Sequence, residues 1–398
     1  MSPKDMKVPR IRDTEDHISE VGLRKSSTNL VPAGSILMVT RSGILSHSFP
    51  VAVTEVTVAL NQDLKALTPR SDVDPTYVYW ALRALERHIL ANCSKDGTTV
   101  ASIDTDRLKR VEVSLPSRDV QQRTVSAIEE LLSRLDAGAT SMSSASKRLS
   151  RLRQQVLDTL VSGAAESPLL PNGWSICRLG DLLIRIDAGK SFKCEERPAR
   201  IDEWGVIKVS AMTWGEFDER ENKTVTTPEQ INPSYEIQPG DLLLSRANTV
   251  EYVGAAVFVE RCRPHLLLSD KSMRLRPADT SDPRWLRLVL GSSYVRRQIM
   301  DLATGTSDSM RNISQSKVRA LRIPTPPTHQ QPQIATEWSR LSSELDSAVG
   351  ILTANTARAG QLRRAILAAA FTGRLPMGAG VVHSESMTEL QAVGRTAE

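Results

Sequence analysis

Few stretches of the sequence place reactive side chains at spacings that carry chemistry, and each of them is incomplete. "DAGKSF" contains Gly189-Lys190-Ser191, the end of a loop whose backbone N–H groups cradle phosphates, but the glycine such a loop needs at position 184 is isoleucine. Without it Lys190 and Ser191 read as loop residues suited to single contacts with a phosphate backbone. The histidines, His17, His47, His88, His265, His329 and His383, form no His-Glu-x-x-His or His/Cys cluster. Cys93, Cys177, Cys194 and Cys262 lack Cys-x-x-Cys spacing and read as reduced, partly buried small apolar groups. No Gly-x-Ser-x-Gly elbow is present. The expectation is a chain with no metal ligand and no catalytic residue.

"INPSYEI" resembles, at Asn232-Pro233-Ser234-Tyr235, the Asn-Pro-Pro-Tyr motif with which amino-methyltransferases hold the amino group of a flipped base. Such an enzyme also needs a glycine-rich cofactor loop after its first strand, and no Gly-x-Gly precedes it in a strand-loop-helix setting. The segment therefore reads as a turn entering a strand at Gly240.

The elements that position these loops follow from the rest of the chain. Its 398 residues, 40% of them hydrophobic, suffice for at least two cores. No run of about eighteen apolar residues and no secretory pattern in "MSPKDMKVPRIRDTED" is found, so a cytoplasmic protein is expected. A net charge of +5 and an isoelectric point of about 9.1 suit a polyanionic partner, although the lysines and arginines are spread along the chain.

The chain repeats itself. "VPAGSILMVTRSG" echoes "IQPGDLLLSRAN", with Gly34 on Gly240; Asp74-Pro75 falls on Asp282-Pro283 and Gly97-Thr98 on Gly305-Thr306. The offset then holds constant: Ile103 on Ile313, Pro116 on Pro326, Gln121 on Gln331, Leu152 on Leu362, Gly163 on Gly373. A slowly growing and then constant offset is what loop insertions within a duplicated unit produce. Each unit opens with short strands after a turn glycine, "GSILMVTR" and "GDLLLSR". Asp-Pro then starts a helix with Asp as N-cap and Pro at the first helical position. Val78, Leu82, Leu85 and Ile89 share one helical face, as do Trp285, Leu288, Val295 and Ile299. The strands "VEVSL" and "LRIPT" follow and stop at Pro116 and Pro326.

A long helix closes each unit. Ile128, Leu135, Met142, Leu149 and Val156 recur every heptad in the first, and Trp338, Leu345, Leu352, Ala359 and Ile366 in the second, which predicts a coiled-coil pair. Each helix would be roughly 65 to 70 Å long at about 1.5 Å per residue. Acids lead (Glu129, Glu130, Asp136; Glu337, Glu344, Asp346) and bases follow (Lys147, Arg148, Arg151, Arg153; Arg358, Arg363, Arg364), so antiparallel pairing sets acid against base.

This order of segments resembles the specificity subunit of type I restriction-modification systems. The stretches that carry the likeness are "LPNGWSICRLGDLLIRIDAGKS", "IQPGDLLLSRAN", "GTSDSMRNISQSKVRALRIPTPPTHQQPQIA" and "QLRRAILAAAFTGRL". The resemblance implies an α+β fold, with two mixed α/β target-recognition domains alternating with two long helices that pair as an antiparallel coiled coil. The domains are expected at residues 1–117 and 166–327, the helices at 118–165 and 328–376, and a disordered tail at 377–398. It also implies DNA reading at a bipartite, asymmetric site without catalysis, two modification subunits bringing S-adenosylmethionine, and restriction/translocase subunits bringing ATP and Mg²⁺. Stand-alone DNA amino-methyltransferase and non-DNA scaffold are the alternatives. Loop residues expected at DNA are Lys190, Ser191, Lys208, Thr213, Arg246, Asn248, Lys271, Ser309, Arg311 and Asn312 in the second domain, and Thr40, Arg41, Ser42, Lys95, Thr98 and Thr99 in the first. The first unit has no counterpart of the opening strand and loop at 169–191, so its domain reads as shortened at the N-terminus, and Arg41 reads as the equivalent of Arg246.

Overall fold

The computed structural model describes residues 1–95, 100–162, 170–213, 215–227, 231–307, 310–375 and 387–397. The chain divides into two units, Met1–Ser143 with Thr353–Glu398 and Ser144–Leu352, and the division falls inside both long helices.

In the second unit, strand Leu242–Ser245 is buried along its whole length, as its unbroken apolar run requires. It pairs antiparallel with Ala256–Phe258 and Ser272–Pro277, and Leu183–Ala188 adds the fourth strand. Gly240 turns the chain into this strand at φ +93°, a conformation only glycine adopts freely, and its N–H donates to Val259 O at 2.7 Å. Trp285 and Leu286 of helix Pro283–Leu290 pack on the sheet with no exposed surface. A second sheet, in the order Cys194–Glu195, Asn222–Val225, Gly205–Ile207, Leu266–Leu267, and a small one of Ala247–Asn248, Met310–Asn312 and Thr304–Ser307 complete the unit, together with the pair Ser175–Arg178 and Arg322–Thr325.

The first unit repeats the register of this main sheet. Leu37 faces Ala66 as Leu243 faces Arg274, and Ile36 faces Leu67 as Leu242 faces Leu275. Gly34, at φ +84°, donates to Thr54 O at 2.7 Å, the counterpart of the Gly240 bond. Asp74 and Asp282 cap their helices through Tyr77 N and Trp285 N, each with proline at the first helical position. The single helix expected after each cap is two. Helix Pro75–Ala84 gives way to Glu86–Asn92 at Leu85, and Pro283–Leu290 to Ser293–Leu302 at Gly291–Ser292, where the Ser292 hydroxyl caps Val295 N.

Two expectations for the chain ends are corrected. Residues 387–397, within the segment expected to be disordered, form strand Met387–Glu389, the turn of helix Leu390–Val393 and strand Gly394–Ala397. These strands pair with Glu112–Ser114 and Leu64–Pro69, the places that Ser175–Arg178 and Leu183–Ala188 fill in the second unit. Even single bonds correspond: Leu390 N donates to Val111 O as Leu179 N does to Leu321 O, and Arg70 N to Val393 O as Ala278 N to Leu182 O. The opening strands that the first unit lacked are therefore supplied from the other end of the chain. Two unsatisfied sheet edges and a pocket for Leu390 and Val393, which are 2% and 0% exposed, order this segment.

The long helices run over Arg118–Ser162 and Gln331–Phe371. Every expected heptad position is buried or half-buried. In the first unit Ile128 and Leu132 pack against Leu367 and Ala370, and Asp136 pairs with Arg363. In the second Leu157 and Val161 share a core with Ala335 and Trp338, and Arg153 pairs with Asp346 while its guanidinium lies over the Trp338 ring. Within each unit the early half of one helix thus meets the late half of the other, the antiparallel sense that the charge pattern favours.

Candidate nucleic-acid interface

At one end of the second unit's main sheet the loops are drawn together by backbone bonds. A Cβ on Gly189 would stand 2.0 Å from Ser269 O, so only glycine lets this strand end approach so closely. The approach sets Lys190 beside Ser269, with Lys190 N donating to Leu268 O at 3.3 Å and its ammonium 5.9 Å from the Phe192 ring. Arg246, just past Leu242–Ser245, donates its N–H to Lys271 O at 2.8 Å and accepts from Ile313 N at 3.0 Å. Ala247 and Asn248 then pair with Asn312 and Arg311. Lys190, Ser191, Arg246, Asn248, Lys271, Arg311 and Asn312 are therefore brought together. Lys190, Ser191, Arg246, Lys271 and Asn312 are exposed.

The loop after Asn248 is held from behind. Arg296 of helix Ser293–Leu302 donates to Val253 O at 2.7 Å and Glu251 O at 2.8 Å, and burial pushes its guanidinium below the usual arginine range. Gly254, at φ +72°, lies so close to this helix that a Cβ would meet Ile299 at 2.6 Å.

Lys208 and Thr213 are placed differently. They flank the 3-10 turn Val209–Met212, where Lys208 pairs with Glu221 at 3.9 Å and the Thr213 hydroxyl donates to Val209 O at 3.2 Å. Ser309 lies outside the described residues, as do Thr98 and Thr99.

In the first unit, Thr40, Arg41, Ser42 and Lys95 gather on the segment Ala101–Ile103. Ile103 N donates to Thr40 O at 2.8 Å, Ser42 N to Ala101 O at 3.0 Å and Lys95 N to Ser102 O at 2.9 Å, while Arg41 bridges Ser102. Thr40 is 5% exposed with its hydroxyl on Asp63 O, so its backbone rather than its side chain shapes this surface. The bonds also correct the pairing of the two arginines. Thr40 N to Asp63 O and Ile103 N to Thr40 O are the counterparts of Arg246 N to Lys271 O and Ile313 N to Arg246 O. Thr40 is therefore the equivalent of Arg246, and Arg41 that of the buried Ala247. Along a strand that one-residue slip turns a side chain to the opposite face. Asp63 and Ser102, counterparts of Lys271 and Asn312, were missed; applying the repeat's own offsets to the second-unit residues finds both.

The Asn232–Tyr235 segment is a turn, as the sequence reading has it. Asn232 Oδ1 accepts from Ser234 N at 2.9 Å, and Arg274 donates to the carbonyls of Ser234 and Glu236 at 3.3 and 2.5 Å. Arg274 is itself 2% exposed and pairs with the buried Asp241 at 3.0 Å, to which Arg276 also donates at 2.9 Å. Among the described residues no group of three or more His, Cys, Asp or Glu is arranged to hold a metal, and no helix is long and apolar enough to cross a membrane.

The architecture defines a class: an internally duplicated α+β protein in which each half presents loops at one sheet end and closes with a long helix of a helical pair. Residues 2–141 match the family described as "Type I restriction modification DNA specificity domain". The chain is 31% identical over 234 residues to the EcoEI specificity subunit of Escherichia coli, covering 58% of this chain and 39% of that protein. It is 37% identical over 155 residues to the EcoR124I/EcoR124II specificity subunit of the same species, covering 39% of this chain and 37% of that one. The chain thus spans about two fifths of the length of these relatives. Among solved structures, a chain described under "complex assembly and conformational transition of the type I R-M system" superimposes with a TM-score of 0.69 at 18% identity, covering 93% of this chain and 90% of that one. The HsdS subunit of Thermoanaerobacter tengcongensis gives 0.56 at 18% identity over 89% and 85%. Over these stretches the chain is similar to type I restriction-modification specificity subunits.

Proposed function

We propose that this chain is the non-catalytic component that reads DNA sequence for a type I restriction-modification complex. The single observation that carries the reading is the gathering of Lys190, Arg246, Asn248, Lys271 and Asn312 at one sheet end, in the half of the chain that repeats the frame of the DNA specificity domain matched at residues 2–141. Cations there neutralise phosphates and set register, while Asn, Ser and Arg facing base edges select sequence. Each unit reads one half of a bipartite, asymmetric site, and the helical pair fixes the gap between the halves. Two modification subunits supply S-adenosylmethionine and methylate adenine, and restriction/translocase subunits supply ATP and Mg²⁺. This chain contributes the address.

Purified chain incubated with labelled S-adenosylmethionine and duplex DNA should transfer no methyl group alone and do so once modification subunits are added. Methyl transfer by the chain alone would sink the reading in favour of an amino-methyltransferase, and failure to bind duplex even at low salt would favour a scaffold without a DNA role.

A further inference from the structure

The same backbone bonds that align the two units expose a difference in charge. Where the second unit has Arg246 the first has Thr40, and where the second has Lys271 the first has Asp63. Asn312 is matched by Ser102. Arg246 and Lys271 are exposed, whereas Thr40 is buried with its hydroxyl on Asp63 O, and the Asp63 carboxylate accepts from Asn61 Nδ2 at 3.3 Å. Two cations at the second unit's sheet end thus correspond to a neutral and an anionic residue in the first. Arg41 is exposed but occupies the place of Ala247 rather than that of Arg246, one residue further along the chain.

We infer that the two units divide DNA binding unequally: Arg246 and Lys271 make the second unit the phosphate anchor, and Asp63 makes the first a weakly held reader that discriminates more than it binds. The inference rests on the DNA-reading function proposed above. A carboxylate close to DNA repels phosphates, and where it reaches a base edge it accepts from the amino group of cytosine.

The test is the salt dependence of binding of the full chain to a short mixed-sequence duplex, where affinity is almost wholly electrostatic. Variants are Arg246→Ala, Lys271→Ala, the pair Arg41→Ala with Lys95→Ala, and Asp63→Lys, each checked for wild-type circular dichroism. Each of Arg246→Ala and Lys271→Ala should flatten the slope of log K against log salt by about 0.9, the value of one phosphate contact on B-form DNA. Asp63→Lys should steepen it by a similar amount, and the Arg41/Lys95 pair should flatten it less than the Arg246 and Lys271 changes combined. Equal flattening from the two units, or no change in slope with Arg246→Ala and Lys271→Ala, overturns the unequal division while leaving DNA binding intact. Wild-type chain that binds no duplex at low salt overturns the DNA reading itself, and the division with it.

Discussion

The side-chain carbonyl of Gln331, at the start of the second long helix, accepts a hydrogen bond from the backbone N–H of Asp282 at 2.7 Å. Gln121 and Asp74 repeat the bond at 2.8 Å in the other unit, and both glutamines are 1% exposed. Each amide group also donates to backbone carbonyls, Gln121 to Pro116 O at 2.7 Å and Gln331 to Thr280 O at 3.3 Å. One side chain in each unit thus joins the long helix to the N-cap of the helix that follows the main sheet.

Replacing Gln331 with alanine should destabilise the protein by about 1–3 kcal/mol, because a buried N–H and buried carbonyls lose their partners. Urea unfolding of Gln331→Ala and Gln121→Ala checks this. A cost within a few tenths of a kcal/mol would show that the joint is dispensable.

The two units solve one buried position differently. Where the second holds Asp241 between Arg274 and Arg276, the first sets Ser35 against Thr68 at 2.8 Å. Asp241→Ala leaves buried guanidinium charge uncompensated and should cost about 3–5 kcal/mol. Ser35→Ala removes one neutral hydrogen bond and should cost about 0.5–1.5 kcal/mol. Equal losses in urea unfolding would contradict this account of the pair.

Glu203 titrates at about 2 because Arg197, and then the backbone N–H of Arg200, favour its charged form. Its stabilising contribution is therefore present above the ordinary glutamate value near 4.5 and is lost as pH falls toward about 2. Glu203→Gln should melt lower than wild type at neutral pH, and the gap in Tm should close as the pH falls through that window. A gap that stays constant across it would rule out this titration.

The Asp136–Arg363 pair is half exposed, with 57% and 44% of the side chains accessible, so it contributes about 0.2–1 kcal/mol. Asp136→Arg should lower stability, and adding Arg363→Asp should restore most of the loss. A double-mutant cycle with no coupling would mean that apolar packing alone, through Ile128, Leu132, Leu367 and Ala370, sets the helix pairing here.

Patterns that span many residues were the legible ones. The heptads, the Asp-Pro helix starts and the offset between Gly34 and Gly240 each repeat a physical constraint, and the structure reproduces all of them. What failed to show were features without a period of their own. Met387–Glu389 and Gly394–Ala397 are held by main-chain pairing to edges remote in sequence, which composition does not encode. The one-residue phase between Arg41 and Arg246 depends on which backbone N–H reaches Asp63 O or Lys271 O, and a similar sequence cannot reveal it. For the DNA-facing candidates, loop position and residue type picked out Arg246, Asn248, Lys271 and Asn312, which the structure gathers. The same criteria also chose Lys208, whose charge is paired with Glu221.

The most direct test of the central claim is a genome-wide map of methylated adenines in cells with and without this chain. The account predicts a split, asymmetric motif that disappears on deletion and returns with the restored gene. Methylation unchanged by the deletion would contradict it.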